Sequence, residues 1–318
     1  MHCPSRYRAW ALPSTLPCGV RTFLRALRRI FGCGDRPDGS DDPVILSSPA
    51  VISRTHPLAK RLRALKSDRD LRDREGVIVG EGLHLAAEAL TSGVPVEMAL
   101  VSPRLLDAAE GRALRERLAR AGVALHEASD GTLEALSDAR SPQPVIVLVK
   151  RRARSLPEVV RGEGGVPLLV VACGVQDPGN LGAIVRIAEA SGASGVVATP
   201  GSADLFHPRA VRASAGSIFR MPAIEASADD LLREAGGASL ALVGADPRGG
   251  AAYHAHDWTR PAALLLGGEG AGLPAAVEGR LDARVAIPMR TPVESLSVGA
   301  AAAVLLFEAA RQRASRAG

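Results

Sequence analysis

Three short stretches in the C-terminal half carry residues whose types and spacing can do chemistry. "DPGNLGAIVRIAEASG" (Asp177–Gly192) follows the apolar run "VPLLVVACGV". A strand, a turn and a helix in that order often form a phosphate or cofactor site, because helix N-terminal N–H groups attract anions. The turn reads Asp-Pro-Gly-Asn, not the Gly-x-Gly-x-x-Gly of a dinucleotide fold. Leu181, Ile184, Val185 and Ala188 fall on one helix face, and Gly182, Arg186 and Glu189 on the other. Arg186 therefore points away from the core. It is either a surface cation paired with Glu189 at i,i+3 or a guanidinium held ready for a ligand.

"LLLGGEGAGLP" (Leu264–Pro274) is the second stretch, an apolar run entering a loop with Gly267, Gly268, Gly270 and Gly272. Glycines there permit close backbone approach, and Glu269 is the only ionisable side chain. Leu273 stands where a dinucleotide fingerprint needs Gly, and the loop is not the first βα turn. The alternative is a tight structural loop with a capping Glu. The third stretch is "VAIPMRTPVESLSVGAAAAVLLFEAARQR". A strand ends at Pro288-Met289, and Ser295-Leu296-Ser297 opens a last helix expected from Val293 to Arg313. Ser295 reads as an N-cap or as a site residue. The small residues Gly299–Ala303 let a second backbone or a ligand come close. Between these stretches, "FHPRAVRASAGSIFRMP" sets Arg209, Arg212 and Ser214 beside Gly216, as a phosphate loop or a solvated helix. His254 and His256 with Asp257 have metal-like spacing, but no Cys or acid cluster accompanies them.

The elements that must position these residues alternate between strand and helix. "THPLAKRLRALKSDRDLRDREG" reads as one basic helical stretch; Arg54–Arg74 holds eight Lys/Arg against three Asp. Strands follow at "VIVGEG", "PVEMALVS", "VALHEAS" and "PVIVLVK". The helices between them are "LHLAAEALTSG", "RLLDAAEGRALRERLARAG" and "DGTLEALSDA". Residues 47–150 thus form one α/β unit. Residues 151–165 read as a Gly/Pro linker. From 166 to 318 the expected strands are "LLVVACGV", "GVVAT", "IFRMPA", "LALVGA", "AALLLGG" and "ARVAIPM". Fully apolar strands between helices mean a parallel sheet covered on both faces. Residues 1–46 read as a disordered extension or a transit peptide, with six Arg and no acid in the first 34.

The chain has 318 residues, 47% hydrophobic and 3% aromatic, so Leu, Val, Ile and Ala must fill its core. No apolar run reaches the ~18 residues of a membrane span. The net charge of +5 and the pI of about 9.4 favour an anionic partner, nucleic acid first. Only Lys60, Lys66 and Lys150 are lysines, a skew to Arg that a GC-rich genome also produces. Cys3, Cys18, Cys33 and Cys173 form no C-x-x-C pair, which fits a reducing compartment.

In order and spacing, "DPGNLGAIVRIAEASG", "LLLGGEGAGLP" and "IPM" with "ESLSVGAAAA" resemble the SpoU–TrmH family of the SPOUT superfamily. Its members are RNA ribose 2′-O-methyltransferases. The resemblance covers about Pro167–Arg313. Ser53–Lys150 looks like the family's small substrate-binding domain. The resemblance implies a C-terminal α/β domain with a trefoil knot, and S-adenosylmethionine bound in that knot. Leu266, Gly268, Ile287, Met289, Ser295 and Leu296 would hold it. Asn180, Arg186, Glu269 and Ser295 match the catalytic motif positions. Lys60, Arg61, Arg63, Lys66 and Arg212 are the expected RNA contacts. The expected substrate is ribosomal RNA, with tRNA as the alternative. The expected protein is a cytoplasmic homodimer, with a mitochondrial location as the minor alternative and no membrane partner; Leu305 and Leu306 carry the apolar face of the last helix. Arg186 would either help remove the 2′-hydroxyl proton or hold the adjacent phosphate and stabilise the alkoxide. One departure is Ser297 where the family has Asn, which leaves an RNA-binding, weakly catalytic member as the second reading. A class I methyltransferase or dehydrogenase lacks its Gly-rich first turn.

Overall fold

The computed structural model describes residues 51–162 and 164–317. The Arg-rich segment and Cys3, Cys18 and Cys33 lie outside the described residues. The first unit runs α1 (Pro57–Ser67), α2 (Arg69–Glu75), β1 (Val77–Glu81), α3 (Leu83–Thr91), β2 (Val96–Val101), α4 (Ala109–Arg120), β3 (Ala124–Glu127), α5 (Asp130–Leu136) and β4 (Val145–Lys150). Its sheet has the order β1-β4-β2-β3, antiparallel except for β2 and β3. The second unit runs α6 (Leu156–Arg161), β5 (Leu168–Cys173), α7 (Pro178–Ala190), β6 (Gly195–Ala198), α8 (Pro208–Ala213), β7 (Ala223–Glu225), α9 (Ala228–Gly237), β8 (Ala241–Ala245), β9 (Ala251–Ala252), β10 (Ala262–Gly267), α10 (Ala275–Glu278), β11 (Ala283–Ala286) and α11 (Val298–Ala317). Its seven strands are all parallel, in the order β7-β6-β5-β10-β8-β11-β9.

Period-two alternation sorts β5 between two cores. Leu168, Val170 and Ala172 join the cluster that holds α7, α8 and α11, while Leu169, Val171 and Cys173 join the one that holds α6 and α9. Cys173 is buried, and burial pushes its thiol up to about 12, so it is inert. The first of these clusters also takes Ile78, Val147 and Val149 from the small sheet, so the two sheets share one apolar core. Among the described residues no helix is long and apolar enough to cross a membrane.

Four expectations give way. The basic stretch is two helices, broken at Asp68, whose carboxylate accepts from the Leu71 N–H and caps α2. "IFRMPA" is not a strand: Ser217–Phe219 is a 3-10 turn, and pairing begins only at Ala223. Buried Ile218, Phe219 and Met221 plug the shared core, and a short apolar run cannot announce which of the two it is. Residues 151–165 contain α6, which buries Val159 and Val160 against the large sheet. The last helix begins at Val298, not at Val293.

Candidate active site

A cleft of about 460 Å³ opens at the carboxyl ends of β8, β10 and β11. Ligand sites of parallel sheets lie there, and small-molecule pockets occupy roughly 300–1,000 Å³. Its walls are the Gly-rich loop after β10, the segment from Ile287 to Val298, and the turn Asp246-Pro247-Arg248 after β8. A Cβ on Gly267 would stand 2.4 Å from the Gly272 carbonyl carbon, and one on Gly268 2.3 Å from the Gly174 oxygen. Only glycine lets the loop fold onto itself and onto the end of β5. Leu266, Gly268, Glu269, Ile287, Met289, Ser295 and Leu296 all line the cleft.

Asn180, on α7, does not line the cleft but is bonded to its wall. Its Nδ2 donates to Glu269 Oε1 at 2.5 Å. Asp177 caps the helix by accepting from the Asn180 N–H, and Arg209 donates to the other Asp177 oxygen at 3.2 Å. A Cβ on Gly299 would lie 3.7 Å from Ala183 Cβ and 3.9 Å from Asn180 Oδ1, so α11 starts against the same turn of α7.

Arg186 stands apart. It is exposed, makes no hydrogen bond or ion pair among the described residues, and does not line the cleft. It sits about 9 Å further along α7 than Asn180. The expected partner, Glu189, is bound elsewhere: Arg220 donates to both its oxygens, at 2.6 and 2.9 Å. Gly182 is buried rather than on the open face, against the Ala210 carbonyl of α8. Ser295 is exposed on the cleft wall, and the N-cap role falls to Ser297, whose Oγ accepts from the Ala300 N–H at 3.3 Å.

The expected RNA cations separate. Lys60, Arg63 and Arg212 are exposed and unpaired among the described residues. Arg61 is tied to Glu75 and Glu97 at 2.6 and 2.8 Å. Lys66 is no free surface cation: its ammonium is buried between Glu81, Asp138 and the Leu136 carbonyl. Sequence reading missed the charged group Asp246, Arg248, Glu278 and Arg284 on the cleft wall. Asp246 accepts from Arg248 and Arg284, and the Arg248 N–H is the largest cause holding its carboxyl below the usual range. The position of Asp246 and Arg248 just after a parallel strand was the available signal. Among the described residues no cluster of three metal-ligating side chains occurs; His256 instead packs edge-on to Trp258 at 4.6 Å.

A parallel α/β domain with a glycine-walled cleft at its strand ends, beside a small mixed sheet, defines a small-molecule-dependent transferase or binding protein. The comparisons narrow this class. A family model described as the SpoU rRNA Methylase family matches residues 167–307, and one described as an MRM3-like substrate binding domain matches 56–147. A 23S rRNA (uridine(2479)-2′-O)-methyltransferase of Streptomyces viridochromogenes is 32% identical over 80% of this chain and 89% of its own. The 23S rRNA (guanosine(2553)-2′-O)-methyltransferase RlmP of Bacillus subtilis is 30% identical over 71% and 86%. The structure of the SpoU methyltransferase AviRb of Streptomyces viridochromogenes with AdoMet superposes with a TM-score of 0.72, at 30% identity, over 82% of this chain and 99% of that one. The chain belongs to the SpoU rRNA methylase family.

Proposed function

We propose that the protein methylates a ribose 2′-hydroxyl of ribosomal RNA with S-adenosylmethionine as donor. The observation that carries this is the glycine-walled cleft with the Asn180–Glu269 pair on its edge, in a chain of this family. The relatives named for 23S rRNA favour ribosomal over transfer RNA. The donor fits the cleft by volume and by its backbone-lined walls. Leu266, Gly268, Ile287 and Leu296 would hold it with backbone groups, and Met289 and Ser295 with side chains. When bound, it supplies a methyl group activated by a sulfonium. A trefoil knot, in which the 287–298 segment passes the 266–273 loop, belongs to this proposal.

The chain's own part is placement and charge. In-line attack requires the ribose oxygen to be held at near-attack distance, and such positioning supplies much of the rate. Glu269 holds the Asn180 amide at the cleft edge, where it can meet a ribose or phosphate oxygen. Arg186 is suited to clamp the neighbouring phosphate and stabilise the forming alkoxide. Since it lies off the cleft of its own chain, we assign it to the cleft of a second copy in a homodimer. Residues 47–150 serve as the RNA-holding domain, with Lys60 and Arg63 toward RNA, residues 151–165 as the junction, and 166–318 as the methyltransferase. Arg212, on α8, extends the basic surface on the catalytic side. A cytoplasmic location goes with this reading. Ser297 caps α11 as well as Asn would, so its presence does not favour the weakly catalytic alternative.

Arg186→Ala tests the assignment. No buried contact or ion pair is lost, so stability should shift by no more than about 0.5 kcal/mol. Losing transition-state stabilisation costs roughly 3 kcal/mol, about a hundredfold in rate. The variant should keep its melting temperature and cofactor affinity while methyl transfer collapses. Arg186→Lys should recover part of it if the role is a point charge on phosphate. Near-normal transfer by Arg186→Ala would remove Arg186 from the site.

A further inference from the structure

Arg220 bridges the two domains at the catalytic helix. Its Nε and Nη2 fork onto Glu189, and its Nη1 donates to Glu88 Oε2 at 2.5 Å. Glu189 lies one turn beyond Arg186 on α7, whereas Glu88 belongs to α3 of the small sheet's unit. Burial works against the Glu189 carboxylate, yet the hydrogen bonds from Arg220 and Ser217 hold it below the usual range. The Glu189 hydrogen bond is likewise the largest cause that raises Arg220. The contact is built rather than incidental. Gly216, at φ +93, brings its backbone so close that a Cβ would stand 2.5 Å from Glu88 Cβ. His84 of the same helix bonds the Ala215 carbonyl at 3.1 Å.

The other end of α7 is tied in the same way. Buried Arg72 of α2 donates to Asp204 at 2.5 Å and to the Leu65 carbonyl. Asp204 accepts from the Phe206 N–H in the turn that leads into α8. Arg209 of α8 holds Asp177, which caps α7 at Asn180. Both ends of the helix that carries Asn180 and Arg186 thus reach the small domain through an arginine.

We infer that Glu88 and Arg220 are positioning residues, which transmit the pose of the RNA-holding domain to the catalytic helix and so set where Arg186 stands. The inference rests on the methyltransferase reading for its kinetic arm only. Glu88→Met removes the acceptor and keeps the packing on Gly216. With an unmodified 23S rRNA transcript and labelled S-adenosylmethionine, Glu88→Met should lose about tenfold in kcat, because small misplacements cost that much. KM for RNA, cofactor affinity and melting temperature should hold. Arg220→Gln should lose at least as much, and the double variant no more than Arg220→Gln alone, since one relay is broken once. Hydrogen exchange over 186–192 reads the relay without turnover and should quicken in Glu88→Met. Unchanged exchange, a loss confined to KM, or multiplicative losses in the double variant would overturn the inference. If the wild-type protein methylates no rRNA while exchange still quickens, the substrate reading fails and the relay stands.

Discussion

Lys66 carries its charge on the buried side of α1, with a side chain only 6% exposed beside Glu81 at 7%. Breaking a buried pair from one side leaves a stranded charge and costs roughly 3–5 kcal/mol. Lys60 and Arg63 have no partner among the described residues, and changing either should cost no more than about 0.5 kcal/mol. The effects on RNA binding should run the opposite way. Lys60→Gln and Arg63→Gln should each reduce the salt slope of binding by about one. Urea melts and filter binding at several salt concentrations check both halves: a stable Lys66→Gln would remove the buried pair as a stabilising element, and an unchanged slope would move the RNA surface elsewhere. The burial of Lys66 was legible in part. Ala59, Leu62 and Lys66 recur at i, i+3 and i+7, the buried stripe of the helix. A positive charge on that stripe calls for a buried acid, but which acid meets it depends on β1 and the turn after α5.

At the scale of elements, α8 depends on an imidazole. His207 precedes its first residue, and Nδ1 accepts from the Arg209 N–H at 3.1 Å. Only an unprotonated Nδ1 can accept. Burial, with Arg72 and Arg209 nearby, lowers this histidine below its ordinary 6.5, against the pull of Asp204 and Asp138. The unfolded chain therefore takes the proton first, and stability falls as pH drops below about 6.5. An N-cap is worth about 1 kcal/mol, which bounds the loss. Thermal melts at pH 7.5 and 5.5 should show a pH-dependent drop that shrinks in His207→Asn, which caps without titrating. An equal drop in both proteins would place the pH effect elsewhere. The strands around this helix were legible because β5, β8 and β10 are continuous apolar runs. The start of α11 was not: "ESLS" accepts an extended wall as readily as a helical turn, and packing against the cleft decides between them.

For the whole molecule, the face proposed for a dimer has to be re-placed. Leu305 and Leu306 are 1% and 0% exposed, spent inside their own chain, whereas Phe307 on the same helix is 52% exposed. Val293 and Leu296, in the segment before that helix, are also open to solvent, at 54% and 40%. An isologous pair would cover these apolar residues. Phe307→Glu should therefore give a folded monomer by light scattering that transfers no methyl groups. Mixing Arg186→Ala with Glu269→Ala should restore roughly a quarter of wild-type activity if random exchange pairs one intact cleft with one intact arginine. A fully active Phe307→Glu monomer, or no recovery on mixing, would sink the shared site.

Residue order alone determined the parallel sheet and the three motif loops, because strand burial and glycine requirements are local properties of the chain, whereas the cleft residues Leu266 to Leu296 followed from the family resemblance and the charged wall from Asp246 to Arg284 was missed. Tertiary structure decided which charges are free. Lys66, Arg61 and Glu189 read as surface ions and are each held by partners distant in sequence, while Arg186 keeps none. A charged side chain's fate turns on the nearest opposite charge in space, and that neighbour comes from β1, from the end of α2 or from the 217–220 turn. Spacing along one helix cannot supply it.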